Sequence, residues 1–227
     1  MKEFEEADYI SIPSHFVYQS FLEEGFDADK LIKVPYGVDM TEFRQIPKKD
    51  DVFRVLFVGM LCLRKGLHYL LEAVSQLDLD NFELVLRGSV IDEGIIPFLE
   101  KYKEYYKIAD FVPREDLHKI YSNSSVFVLP SLEEGLSMAI AEAMACGLPV
   151  IVSTNTGGED IVRDGVDGFI TPIRDVEAIK EKILFFYENE EKRKEMGNNA
   201  KERVKEFTWD RYGERIVEEY KKLLGEE

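Results

Sequence analysis

Positive charge is scarce in this 227-residue chain: 29 Lys and Arg stand against 45 Asp and Glu, for a net charge of −16. Proteins that bind nucleic acid normally carry a basic face, so that class is excluded on charge. Cysteine is nearly absent. Cys62 and Cys146 are too few for a disulfide framework, and with His15, His68 and His118 they show no metal-ligand spacing, so no metal site is expected. No apolar run approaches the roughly 18 residues of a membrane-crossing helix. The opening "MKEFEEADYI" is acidic and lacks the apolar stretch of a signal peptide, so a cytoplasmic location is expected. A G-x-x-x-x-G-K-[ST] loop is also missing, which removes the main support for an ATPase. The Asp-x-Asp at Asp78 and Asp80 precedes its strand and reads as a solvated loop.

What the chain does contain is alternation. Strand-like "FRVLFVG" (53–59), "FELVLRG" (82–88), "KIADFV" (107–112), "SVFVLPS" (125–131), "PVIVS" (149–153) and "GFITPI" (168–173) are separated by helix-like stretches. These stretches fall at 65–77, about 92–105, 113–121 and 137–146, with three more at 175–188, 190–206 and 209–224. Apolar strands spaced by helices imply a parallel sheet covered on both faces, so the expected fold is α/β, doubly wound and Rossmann-like. The first ~45 residues read as a β-α-β piece too small to hold its own core, like the end of another domain. "DMTEFRQIPKKDD" after it reads as a polar linker.

Ligands of open α/β sheets lie beyond the carboxyl ends of the strands. There the sequence places Gly59, then Arg64 and Lys65, Arg87, the loop Glu133-Glu134-Gly135, and Gly157 with Gly158. Cations, glycines and helix starts on one edge suit a phosphate-bearing ligand. The segment "EEGLSMAIAEAMACGLPV" (133–150) adds a small apolar helix that Ser137 can cap, with Glu142 as its single charged side chain after that point. N–H groups at the start of that helix have no intrahelical partners and can accept an anion, while Gly135 lets the backbone approach closely. Glu142 lies about 7.5 Å further along the axis, leaning back toward the N-terminus, where it could accept ribose hydroxyls. Glu134 would stand on the far side of the phosphate, within reach of a sugar. The plainer readings are a core-satisfied Glu142, an exposed loop acid at Glu134 and solvated cations at Arg64 and Lys65.

"PSLEEGLSMAIAEAMACGLPVIVSTNTGG" resembles the donor-site signature of retaining GT-B glycosyltransferases, with the family's E-x7-E pair on Glu134 and Glu142. "FVGMLCLRKGLHYLLEA" resembles the family's first strand and phosphate loop, and "EDIVRDGVDGFITPIRD" its last sheet segment. "ADYISIPSHF" and "KLIKVPYGVD" resemble the end of its N-terminal domain. The resemblance implies that residues 1–45 end an acceptor domain and that 46–207 form the nucleotide-sugar donor domain. Residues 208–227 would pack back toward the acceptor domain with a partly exposed apolar side. It further implies catalytic positions at Glu134, Lys65 and Arg64. Donor contacts would come from Glu142, Gly135, Leu136, Ser137, Met138, Gly59 and Arg87, with the base near Val112 and Leu117. The implied donor is an NDP-sugar, with no cofactor and no metal. The implied acceptor is a saccharide or lipid-linked, bound by the N-terminal half, with peripheral membrane association of the full enzyme left open. Where the family often has Gly-Arg-Leu, this chain has Gly59-Met60-Leu61, and Arg64 is expected to supply the missing cation. The rival readings are an NDP-sugar epimerase or phosphorolytic enzyme of the same design, and a non-catalytic subunit of a two-chain transferase.

Overall fold

The computed structural model describes residues 2–225. The chain opens with α1 (Lys2–Glu6), β1 (Ile10–Ile12), α2 (His15–Glu23) and β2 (Leu31–Lys33). β1 and β2 pair in parallel as a two-stranded sheet of their own. Ser14 starts α2, its hydroxyl accepting from the N–H of Val17.

Six strands make the main sheet: β3 (Phe53–Val58), β4 (Phe82–Arg87), β5 (Lys107–Ile108), β6 (Val126–Leu129), β7 (Val150–Ser153) and β8 (Gly168–Thr171). They run in the order β5-β4-β3-β6-β7-β8, all parallel. The helices between and after them are α3 (Leu67–Ser75), α4 (Ile96–Lys101), α5 (Leu117–Ser122), α6 (Met138–Ala145), α7 (Gly158–Ile161), α8 (Val176–Glu188) and α9 (Glu190–Arg203). Every residue of β6 and β7 is buried, as are Val55, Leu56 and Phe57 of β3. This is what a sheet covered on both faces requires of its central strands. The order reverses between β3 and β6, so their loops leave in opposite directions and open a crevice at their carboxyl ends.

The expected elements are present; the helix expected over 113–121 opens as a 3₁₀ turn at Arg114–Asp116 before α5, and three further differences stand out. The strand expected over 107–112 pairs only at Lys107 and Ile108; Ala109 makes one more ladder bond to the Leu86 carbonyl at 2.9 Å, and Phe111 is then left exposed. The helix expected over 92–105 is broken into 3₁₀ turns on either side of α4, because Asp92 holds the N–H groups of Gly94 and Leu63 and Pro97 fits only a first turn. The polar linker is packed down: Phe43 is fully buried against Tyr121, with ring centroids 5.9 Å apart.

The last helix, α10 (Trp209–Leu224), follows a backbone contact with the first segment of the chain. Val38 donates to the Phe207 carbonyl at 2.9 Å, and Tyr36 lies against Trp209 and Tyr212. No residue of α10 is buried, and Trp209, Val217, Tyr220, Leu223 and Leu224 are exposed.

Two glycines test these placements in opposite directions. Gly66 has φ +65°, and a Cβ there would sit 1.8 Å from the Pro130 carbonyl oxygen. Gly66→Ala is expected to cost about 1–3 kcal/mol or more in urea unfolding. Gly213, inside α10, has nothing within 4 Å of that position. Gly213→Ala is expected to raise stability by about 0.5–1 kcal/mol through helix propensity alone.

Candidate active site

Three loops meet at the β3/β6 crevice and hold one another through their backbones. Leu132, after β6, donates to the Arg64 carbonyl after β3 at 2.8 Å, and Gly66 lies directly against Pro130. On the other side Glu134 donates through its N–H to the carbonyl of Asn155, after β7, at 2.7 Å, and the Asn155 amide returns to the Leu132 carbonyl at 3.3 Å. Gly157, at φ +68°, has room only for hydrogen where the β7 loop touches Gly135 and Leu136. Its role is close backbone packing. Ser14 reaches in from the first segment and donates its hydroxyl to the Gly135 carbonyl.

Lys65 and Glu134 are ion-paired across the crevice, with Lys65 only 6% exposed. Arg64 lies outside them, 3.7 Å from the same Glu134 oxygen, and donates to the Glu133 carbonyl at 3.3 Å. Gly59 is beside this pair; a Cβ on it would lie 3.8 Å from Cε of Lys65. Next to the pair is the start of α6. Ser137 occupies the cap position but its side chain makes no capping bond, contrary to its expected role. Among the described residues, the N–H groups of Gly135, Leu136, Ser137 and Met138 have no hydrogen-bond acceptor. Four consecutive free donors and the positive end of a helix give this wall the chemistry to accept an anion.

Glu142 points into the protein and is 5% exposed. One carboxylate oxygen accepts from the Tyr121 hydroxyl at 2.8 Å, the other from Arg114 Nη2 at 3.2 Å. Arg114 also grips Glu42 at 3.0 Å and lies over the Phe43 ring at 5.1 Å. Burial raises the Glu142 carboxyl above its ordinary range, against the opposing pull of Tyr121 and Arg114. Tyr121 is wholly buried, and burial together with the Glu142 charge pushes its phenol well above the ordinary value. Tyr121, Arg114, Ser14 and Asn155 have no place in the sequence-derived site. Each acts through a contact distant in sequence, and no local pattern marks them.

Arg87, at the end of β4, donates from Nη2 to the Val112 carbonyl at 3.2 Å and lies over the Phe111 ring at 5.1 Å. Its Nε is buried without a partner. Val112 and Leu117, the expected neighbours of a base, are both half-buried at this same edge. Among the described residues no cluster of His, Cys, Asp and Glu could hold a metal ion, and no helix is long and apolar enough to cross a membrane.

The strand order and the crevice define a Rossmann-like α/β domain. The family described as glycosyl transferases group 1 matches residues 39–203. The uncharacterized glycosyltransferase MJ1178 of Methanocaldococcus jannaschii is 34% identical over 170 residues, which is 69% of this chain and 44% of that protein. Sucrose-phosphate synthase from Thermosynechococcus elongatus superposes with a TM-score of 0.85 at 25% identity, covering 97% of this chain and 59% of that one. Anabaena HepE in complex with UDP-glucose superposes at 0.83 with 19% identity, covering 95% of this chain and 64% of that one, a likeness of fold. The chain belongs to the glycosyl transferases group 1 family, and its sheet is a Rossmann-like domain of the GT-B fold. It spans about half the length of the curated relatives it matches.

The Glu142 cluster sets a pH dependence. A carboxyl whose value is raised by folding adds stability at low pH that is lost as pH climbs from the ordinary 4.5 through the raised value. Unfolding free energies measured over that range should therefore show wild type falling relative to Glu142→Gln as pH rises. Glu142→Ala leaves the Tyr121 hydroxyl without its acceptor and should cost about 1–3 kcal/mol at low pH.

Proposed function

We propose that this chain is the nucleotide-sugar-binding half of a retaining hexosyltransferase, which moves a sugar from an NDP-sugar to an acceptor. The observation that carries the reading is the row of four free N–H groups from Gly135 to Met138, set beside Lys65 at the strand-order switch. A diphosphate placed there meets the positive end of α6 on one side and the Lys65 ammonium on the other.

The Lys65–Glu134 pair gives the site two states. Without ligand, each charge neutralises the other. As a diphosphate enters, Lys65 turns to its oxygens and Glu134 is released to accept hydroxyls of the sugar to be transferred. Arg64 adds a second cation where negative charge grows on the departing diphosphate. Lys65, Arg64 and the helix start supply locally the charge that a metal ion would otherwise provide, so the reaction runs without one. The Glu142 carboxylate uses one lone pair of each oxygen on Tyr121 and Arg114, and the remaining lone pairs suit a ribose diol. The base lies against Val112 and Leu117, at the edge where Arg87 and Phe111 stack.

The acceptor, a saccharide or a lipid-linked one, is bound by a further domain of the kind that the longer relatives leave room for. The chain by itself should bind donor and transfer little sugar. Calorimetric titration with UDP-, GDP- and ADP-sugars tests the reading. One nucleotide should bind in the micromolar to millimolar range. Removing a charge-assisted contact in Lys65→Ala should weaken that binding by about ten- to a hundredfold, and Glu142→Ala should abolish ribose-dependent affinity. If a cooperatively folded chain binds none of the panel, or Lys65→Ala binds as wild type does, the reading is wrong.

A further inference from the structure

A second cavity, of about 790 Å³, lies at the opposite edge of the sheet, under the amino ends of β3, β6 and β7. Its walls come from the segments leading into those strands, 45–51, 122–125 and 146–149, and from α9 between Glu190 and Asn198. Two of its cations are in an unusual state. Lys48 and Arg193 are both half-buried, yet among the described residues neither has a carboxylate within 4.0 Å. The Lys48 ammonium donates to the Val52 carbonyl and to the Ser125 hydroxyl, the latter at 2.8 Å. Arg193 donates to the Phe186 carbonyl and lies over the Phe53 ring at 5.0 Å, which leaves most of its fork unused.

The local carboxylates neutralise this pair only in part. Asp50 is taken by Arg54 at 3.1 Å and Glu190 by Lys194 at 2.7 Å, so Asp51 alone is left to face two cations. Burial pushes both Lys48 and Arg193 below their ordinary values; Arg54 and Arg193 push Lys48 further, and the opposing pull of Asp50 and Asp51 on Lys48 and of Glu190 on Arg193 does not restore them. Half-desolvated positive charge with no carboxylate in direct contact is costly, and a bound anion offsets that cost. In a chain of net charge −16 the surface at large repels anions, which makes this spot stand out.

We propose that the cavity binds a small phosphate-bearing anion between Lys48 and Arg193. Two cations from separate segments suit a dianion. The volume exceeds what one phosphate fills, so a phosphate ester with a small polar body fits better than the inorganic ion. The site also shares an element with the crevice: α6 starts at the crevice and ends at Cys146 and Gly147 in this wall.

The test is an amide-shift NMR titration of the whole chain with inorganic phosphate and, separately, with glucose 6-phosphate, repeated in Lys65→Ala to silence the crevice. The expected result is saturable shifts at residues 122–125 and 147–148 that persist in Lys65→Ala. Affinity should fall at least about tenfold in Lys48→Met and in Arg193→Met. Tighter binding of the ester identifies the organic phosphate as the ligand class, and equal binding identifies the inorganic ion. Shifts confined to 135–138, loss of binding in Lys65→Ala, or no saturation at the second cavity in wild type overturns the proposal. The wild-type shifts locate the site by themselves, so a variant that fails to fold leaves the test intact.

Discussion

The small helix α6 has to be buried, and much of the molecule follows from the one charge it carries. Ile140 to Ala145 are all buried, Glu142 among them. A carboxylate at that depth needs partners, and it recruits Tyr121 from α5 and Arg114 from the turn before it. Arg114 in turn holds Glu42, and Tyr121 packs on Phe43, so the stretch that joins the first segment to the main sheet is fastened to the core through Glu142. Packing and polar satisfaction here are one event. The same helix sets the entrance of the crevice with its first residues and reaches the opposite edge of the sheet with its last.

The crevice works against the charge of its own protein. With −16 overall, an anion is drawn only by fixed local features: the unpaired N–H groups at 135–138, Lys65 and Arg64. Of these, the backbone donors cannot titrate or rotate away. Lys65 is paired with Glu134, and in the proposed reading it leaves that pair for the donor diphosphate. That arrangement keeps a buried cation satisfied at rest while leaving it free to act.

Much of this was legible in the sequence, for identifiable reasons. β3 and β4 are mainly apolar, with Arg54 and Glu83 only at their second positions and Arg87 closing β4, and β6 and β7 flank a helix bounded by Ser137 and Gly147, so the parallel sheet and its carboxyl edge could be placed from pattern alone. Arg64, Lys65, Glu134 and the 135–138 turn lie together because each directly follows a central strand. What pattern did not reveal depends on distant contacts. The length of β5 is set by where its partner β4 stops bonding it, not by the apolar residues of 107–112. Phe43 sits in a polar stretch, and only Tyr121 explains its burial. The partners of Glu142 are 21 and 28 residues away, and Ser14 is 121 residues from the carbonyl it holds.

The interlocked loops around the crevice bear on the entropy of binding. Leu132 on Arg64, Glu134 on Asn155, Gly66 on Pro130 and Ser14 on Gly135 fix the backbone of the pocket wall before any ligand is present. Ordering a flexible loop normally consumes part of the interaction energy gained on association. In the proposed reading the ordering left to do lies mainly in two side chains, Lys65 and Glu134, which would exchange one ordered pairing for another. A pocket of this kind discriminates by shape, because its walls cannot adjust to a ligand that fits poorly.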